Sequence, residues 1–121
     1  MSENKIREEI CRFGRSLFER GLTPGSSGNI SVRLEDGGYL VTPTNASLGF
    51  LDPGKLSRLS AGGKLVSGDA PTKEVPLHSA LYQTRGTARA VVHLHSTHSV
   101  ALSMLPEIDP RAALLPMTPI M

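Results

Sequence analysis

The sequence has no tryptophan, two tyrosines and three phenylalanines. The side chains that bury the largest area per residue therefore contribute little to any core. Cys11 is the single cysteine, so no disulfide forms within the chain and nothing points to an oxidising compartment. It falls in a helical pattern, where a free thiol packs as a small hydrophobe. No apolar run approaches the ~20 residues of a membrane-spanning helix, and the charged N-terminus is no signal peptide. Charge of one sign is also missing. Lys+Arg 13 against Asp+Glu 11 leaves +2, with both signs interspersed. No basic stripe runs long enough to track a nucleic acid. These absences predict a soluble cytoplasmic protein without nucleic-acid or membrane partners. Its 121 residues, 39% of them hydrophobic, fit one domain.

Residues 3–20 read as an amphipathic helix, with Ile6, Ile10, Phe13 and Leu17 on one face and Gly21 as its stop. Gly14 interrupts the pattern and argues against a straight helix. Ile30, Val32 and Leu34 alternate with Ser31 and Arg33 as a half-buried strand. Glu35-Asp36-Gly37-Gly38 turns the chain into a second strand, Tyr39 to Thr42. Asp52-Pro53 caps a short helical turn, and short strands follow at Leu56 to Ser60 and Lys64 to Ser67. A helix begins near Glu74 with Pro76 in its first turn. Leu77, Ala80 and Leu81 line one face of it, and Gly86 closes it. A further helix is capped by Ser96 or Thr97 and stopped by Pro106. An extended segment starts at Leu114.

Between the last two helices lies Ala90-Val91-Val92-His93-Leu94-His95-Ser96-Thr97-His98. On a strand, residues two apart share a face, so His93 and His95 project together. Two imidazoles from one rigid strand chelate zinc or a similar divalent ion. A hydrogen-bonded pair at a strand end has the same spacing. Two small-residue loops, Thr23 to Asn29 and Pro43 to Ser47, come to the same edge if their strands form a hairpin. Their N–H groups and short polar side chains suit an anion such as phosphate, and equally suit plain connections. A third loop, Gly68 to Lys73, leads to Glu74 at a helix N-terminus, where a carboxylate also simply complements the dipole. His78 reads as a packing or capping histidine rather than a ligand.

Gly25-Ser26-Ser27-Gly28-Asn29-Ile30-Ser31, Val41-Thr42-Pro43-Thr44, Thr72-Lys73-Glu74 with Leu77-His78, and the histidine stretch stand in one order and spacing. Together they resemble the class II aldolase/adducin family across residues 1–121. The resemblance implies an α/β/α fold with a mostly antiparallel central sheet. It implies a bound divalent metal, usually zinc, a phosphorylated sugar-like substrate and a cyclic homotetramer with its active site near a subunit interface. His93 and His95 match two metal ligands. Glu74 matches the acid/base carboxylate, which can also approach the metal. Gly28, Asn29, Thr44, Asn45, Thr72 and Lys73 match the loops that hold the substrate phosphate.

Family aldolases usually carry Ser or Thr at the position of Lys73 and often Gly at that of Asn45. Lys73 beside Glu74, with Leu115-Pro116-Met117-Thr118-Pro119, instead resembles the branch that decarboxylates 3-oxo-tetronate 4-phosphates to dihydroxyacetone phosphate and carbon dioxide. Alternatives are a sugar-phosphate aldolase of the fuculose 1-phosphate type, a 4-epimerase, and a non-catalytic adducin-like interaction module. Family members continue past this point, and their third metal-binding histidine lies beyond the position of Met121. His98 does not replace it. The resemblance therefore implies the N-terminal part of a longer enzyme, with apolar sheet surface and a strand edge left uncovered.

Overall fold

Helix α1 (Glu3–Glu19) starts where the Ser2 hydroxyl accepts the Lys5 N–H at 3.2 Å, and it runs unbroken through Gly14. The computed structural model describes residues 1–114, so the extended segment expected from Leu114 lies, from Leu115 on, outside the described residues. Gly14 is buried and leaves the helix regular. Its missing Cβ lets α1 approach the 3₁₀ turn at Leu48–Phe50. A second 3₁₀ turn, Pro53–Lys55, is capped by the Asp52 carboxylate, as its Asp-Pro sequence predicts.

Five strands form the sheet: β1 (Asn29–Arg33), β2 (Tyr39–Val41), β3 (Ser57–Leu59), β4 (Leu65–Ser67) and β5 (Ala90–His93). Their order is β4-β3-β2-β1-β5, and every neighbouring pair is antiparallel. The period-2 alternation of β1 decides what lies on each face. Ile30 and Leu34 join Ile10, Leu40, Leu48 and Leu56 in the core under α1, with Ile6, Leu17 and Cys11 packed against it. Ser31 and Arg33 face the other way, toward α2 (Val75–Thr84). Helices thus cover both faces, the expected α/β/α layering.

Polar β1 side chains on the second face explain one departure. Leu77, expected on the buried face of α2, is 38% exposed, while His78 and Tyr82 are buried. A helix laid on Ser31 and Arg33 must present groups that hydrogen-bond to them. Phe13, expected in the core, is 55% exposed. It borders an apolar groove between α1 and β5, with Ile6, Val32 and Val92. Among the described residues β5 pairs only with β1. Helix α3 (Thr97–Ser103) follows it after Ser96 at the cap position. No described helix is long and apolar enough to cross a membrane.

Candidate active site

The antiparallel pairing of β1 and β2 brings the loops before Asn29 and after Val41 to one end of the sheet. Thr42 holds them there. Its hydroxyl accepts the Ile30 N–H at 3.1 Å, its own N–H donates to the Ile30 carbonyl at 2.9 Å, and its carbonyl accepts the Thr72 N–H at 3.1 Å. The Thr44 N–H donates to the Ala70 carbonyl at 2.9 Å, and Pro43 bridges Pro71. The three candidate anion loops therefore meet beside His93, which pairs with Asn29 across β1 and β5.

This tying changes what the loops can offer. The Thr44 and Thr72 N–H groups are committed to backbone carbonyls. The N–H groups at the start of α2 are also satisfied in place. Thr72 Oγ1 accepts the Glu74 N–H at 3.2 Å, the Thr72 carbonyl accepts that of Val75 at 3.4 Å, and Pro76 has none. Lys73 is exposed, and Asn45 is exposed in a left-handed conformation (φ 58°) that asparagine tolerates. Gly28 has φ 80°, and a Cβ there would stand 2.5 Å from Thr23 Oγ1 and 3.2 Å from the His93 carbonyl. Only glycine lets the first loop lie this close to the end of β5.

Strand β5 ends at His93, so His95 stands just beyond it rather than on it. The two rings are nevertheless side by side, with centroids 4.7 Å apart and planes inclined by 59°. Asn29 Oδ1 lies 3.3 Å from His93 Nδ1. Two adjacent imidazoles, one held at Nδ1 by an amide oxygen, fit as two nitrogen donors to a divalent cation. Glu74 does not complete the set. Among the described residues no group of three His, Cys, Asp or Glu side chains stands close enough to hold a metal ion. The reason is its place: Glu74 occupies the N-cap of α2, exposed to solvent and without a side-chain capping bond.

His78, read from sequence as a packing or capping residue, is 2% exposed, and both ring nitrogens are engaged. Nε2 lies 2.5 Å from Asn29 Oδ1 and Nδ1 2.6 Å from Ser31 Oγ, which lies 2.8 Å from the Tyr82 hydroxyl. Burial lowers the His78 pKa to about 4. The charge of His93 acts in the same direction and Glu74 opposes it. Burial raises the Tyr82 phenol, opposed by the Ser31 hydroxyl bond and by the charge of Arg33, whose guanidinium lies over its ring. Tyr82 escaped the sequence reading. Its one signal was its spacing of four from His78 on the same helix face.

Comparison with known proteins adds identity to this geometry. Residues 8–120 match the class II aldolase and adducin N-terminal domain. The chain is 52% identical over 118 residues to the 3-oxo-tetronate 4-phosphate decarboxylase of Cupriavidus necator, covering 98% of this chain and 54% of that protein. It is 37% identical over 105 residues to the L-fuculose phosphate aldolase of Escherichia coli, covering 87% of this chain and 48% of the aldolase. The crystal structure of YgbL from Klebsiella pneumoniae superposes with a TM-score of 0.93 at 46% identity, over 99% of this chain and 58% of that one. The chain spans about half the length of the curated relatives it matches.

Proposed function

Because the chain belongs to the class II aldolase and adducin family, we propose that it serves the metal-dependent decarboxylation of a 3-oxo-tetronate 4-phosphate to dihydroxyacetone phosphate and carbon dioxide. The observation that carries the substrate class is the 52% identity to a decarboxylase of that substrate, against 37% to an aldolase. We further propose zinc as the ion, a homotetramer as the working assembly and the cytoplasm as its place.

His93 and His95 would hold the ion. Bound there, it supplies Lewis-acid stabilisation of the negative charge that develops on the substrate oxygens as the C1–C2 bond breaks. The substrate phosphate would lie where the three loops meet. Lys73 would neutralise it, and Gly28, Asn29, Thr44, Asn45 and Thr72 would shape the pocket. With the Thr44 and Thr72 N–H groups already committed, recognition would rest on Lys73 and on the exposed loop groups. The electron pair of the C1–C2 bond passes into an enediolate as carbon dioxide departs. Glu74, exposed at the N-cap, would deliver a proton to C2 as general acid. That proton completes the hydroxymethyl group of dihydroxyacetone phosphate.

Assay of the full-length, zinc-loaded protein with 3-oxo-tetronate 4-phosphate and with fuculose 1-phosphate, reading triose phosphate release, tests this. Turnover of the sugar acid is expected. Turnover of fuculose 1-phosphate alone would replace the reading with an aldolase. No turnover of either by zinc-loaded protein would favour an interaction module.

A further inference from the structure

We propose that His78 is a positioning residue for the histidine pair: through Asn29 it fixes the proton of His93 on Nδ1 and presents Nε2 as the free lone pair at the site. The use of that lone pair for metal rests on the function proposed above; the proton placement does not.

A carbonyl oxygen only accepts hydrogen bonds. Asn29 Oδ1 lies 2.5 Å from His78 Nε2 and 3.3 Å from His93 Nδ1, so both nitrogens carry hydrogen and donate to it. A neutral imidazole has one N–H. With that hydrogen on Nε2, His78 Nδ1 must accept, and the Ser31 hydroxyl at 2.6 Å must donate to it. Ser31 Oγ then accepts from the Tyr82 hydroxyl at 2.8 Å. Every bond from Tyr82 to Asn29 runs in one direction.

Burial makes the arrangement stiff. Ser31 is fully buried, and Asn29, His78 and Tyr82 are 6%, 2% and 3% exposed. Reversing the chain would turn the Asn29 NH₂ toward both rings. His93 Nδ1 would then accept, its proton would sit on Nε2, and the site would lose that donor. The orientation of the Asn29 amide, held by His78, thereby decides which nitrogen His93 presents, and the hydroxyls of Ser31 and Tyr82 complete the chain in the direction it sets. Partners of this kind outside the ligand set typically contribute about 10–100-fold to metal affinity.

Long-range ¹H–¹⁵N spectra of the metal-free protein above pH 7 read the tautomers directly. The expected result is His78 protonated on Nε2 and His93 on Nδ1. His93 protonated on Nε2 would overturn the proposal without any substitution. His78→Gln, whose amide can still donate to Asn29 Oδ1, should keep His93 on Nδ1 and hold zinc affinity within about threefold. His78→Leu should release the tautomer and weaken zinc about 10–100-fold by calorimetry. Retention of the Nδ1–H form by folded His78→Leu would also overturn it. If wild type shows the expected tautomers yet binds no zinc, the positioning role stands and the metal reading falls.

Discussion

Gly14 of α1 lies against the backbone of Leu48 so closely that a Cβ on Gly14 would stand 2.7 Å from the Leu48 carbonyl oxygen. Replacing a helical glycine by alanine ordinarily stabilises by about 1 kcal/mol. Here the contact is backbone on one side and helix on the other, so neither yields cheaply. Gly14→Ala should reverse the usual sign and cost about 1–3 kcal/mol. Urea unfolding reads this directly. A midpoint above that of wild type would show that α1 can shift away from Leu48 freely.

Gly28→Ala meets two obstacles, a positive φ of 80° and the Thr23 hydroxyl at 2.5 Å. Loss of about 1–3 kcal/mol is expected from the backbone strain alone. Because the new methyl would also press on the His93 carbonyl, zinc affinity should fall with stability. A variant as stable as wild type with unchanged zinc binding would mean that the first loop is not held against β5.

What could be read from sequence was local. The alternation of Ile30, Val32 and Leu34 placed β1, Asp52-Pro53 placed a capped turn, and the Glu35 to Gly38 turn brought two loops to one end. Gly14 misled, because a glycine inside a helix pattern signals weakness unless its close neighbour is known, and Leu48 is a long way down the chain. The buried polar network was illegible for the same reason. His78 finds its partners 49 and 47 residues away, at Asn29 and Ser31. Ser31 and Arg33 did carry a hint, since a strand with one polar face needs hydrogen-bonding partners above it. Periodicity alone put Leu77 and Leu81 there instead. The N–H groups at the start of α2 were equally hidden, because only the fold shows that Thr72 satisfies them.

His78 makes stability depend on pH. Its folded pKa of about 4 lies below the ordinary 6.5, so the unfolded chain binds more protons between these values. Its contribution is fully present above pH 6.5 and is lost as pH falls toward 4, by about 3 kcal/mol at most. Denaturant unfolding at a series of pH values should show this slope in wild type. In His78→Gln the part due to this residue should vanish. An equal slope in both proteins would place the acid sensitivity elsewhere.

Glu74 and Lys73 are adjacent, exposed and assigned different tasks, so their variants should separate cleanly. The Glu74 side chain makes no capping bond, and Glu74→Gln keeps its shape and removes its proton. Stability should be unchanged within about 0.5 kcal/mol. The rate should fall about 10²–10⁴-fold in kcat with little change in KM, as expected for a group that acts only in the transition state. Lys73→Ser removes a positive charge from the meeting point of the loops. It should raise KM for 3-oxo-tetronate 4-phosphate and leave kcat nearly intact, because phosphate binding is shared by ground and transition states. The Lys73→Ser effect should also shrink with rising ionic strength, since an exposed charge pair is screened. If Lys73→Ser lowered kcat and spared KM, the lysine would be acting on the departing carboxylate, and the phosphate would need another cation.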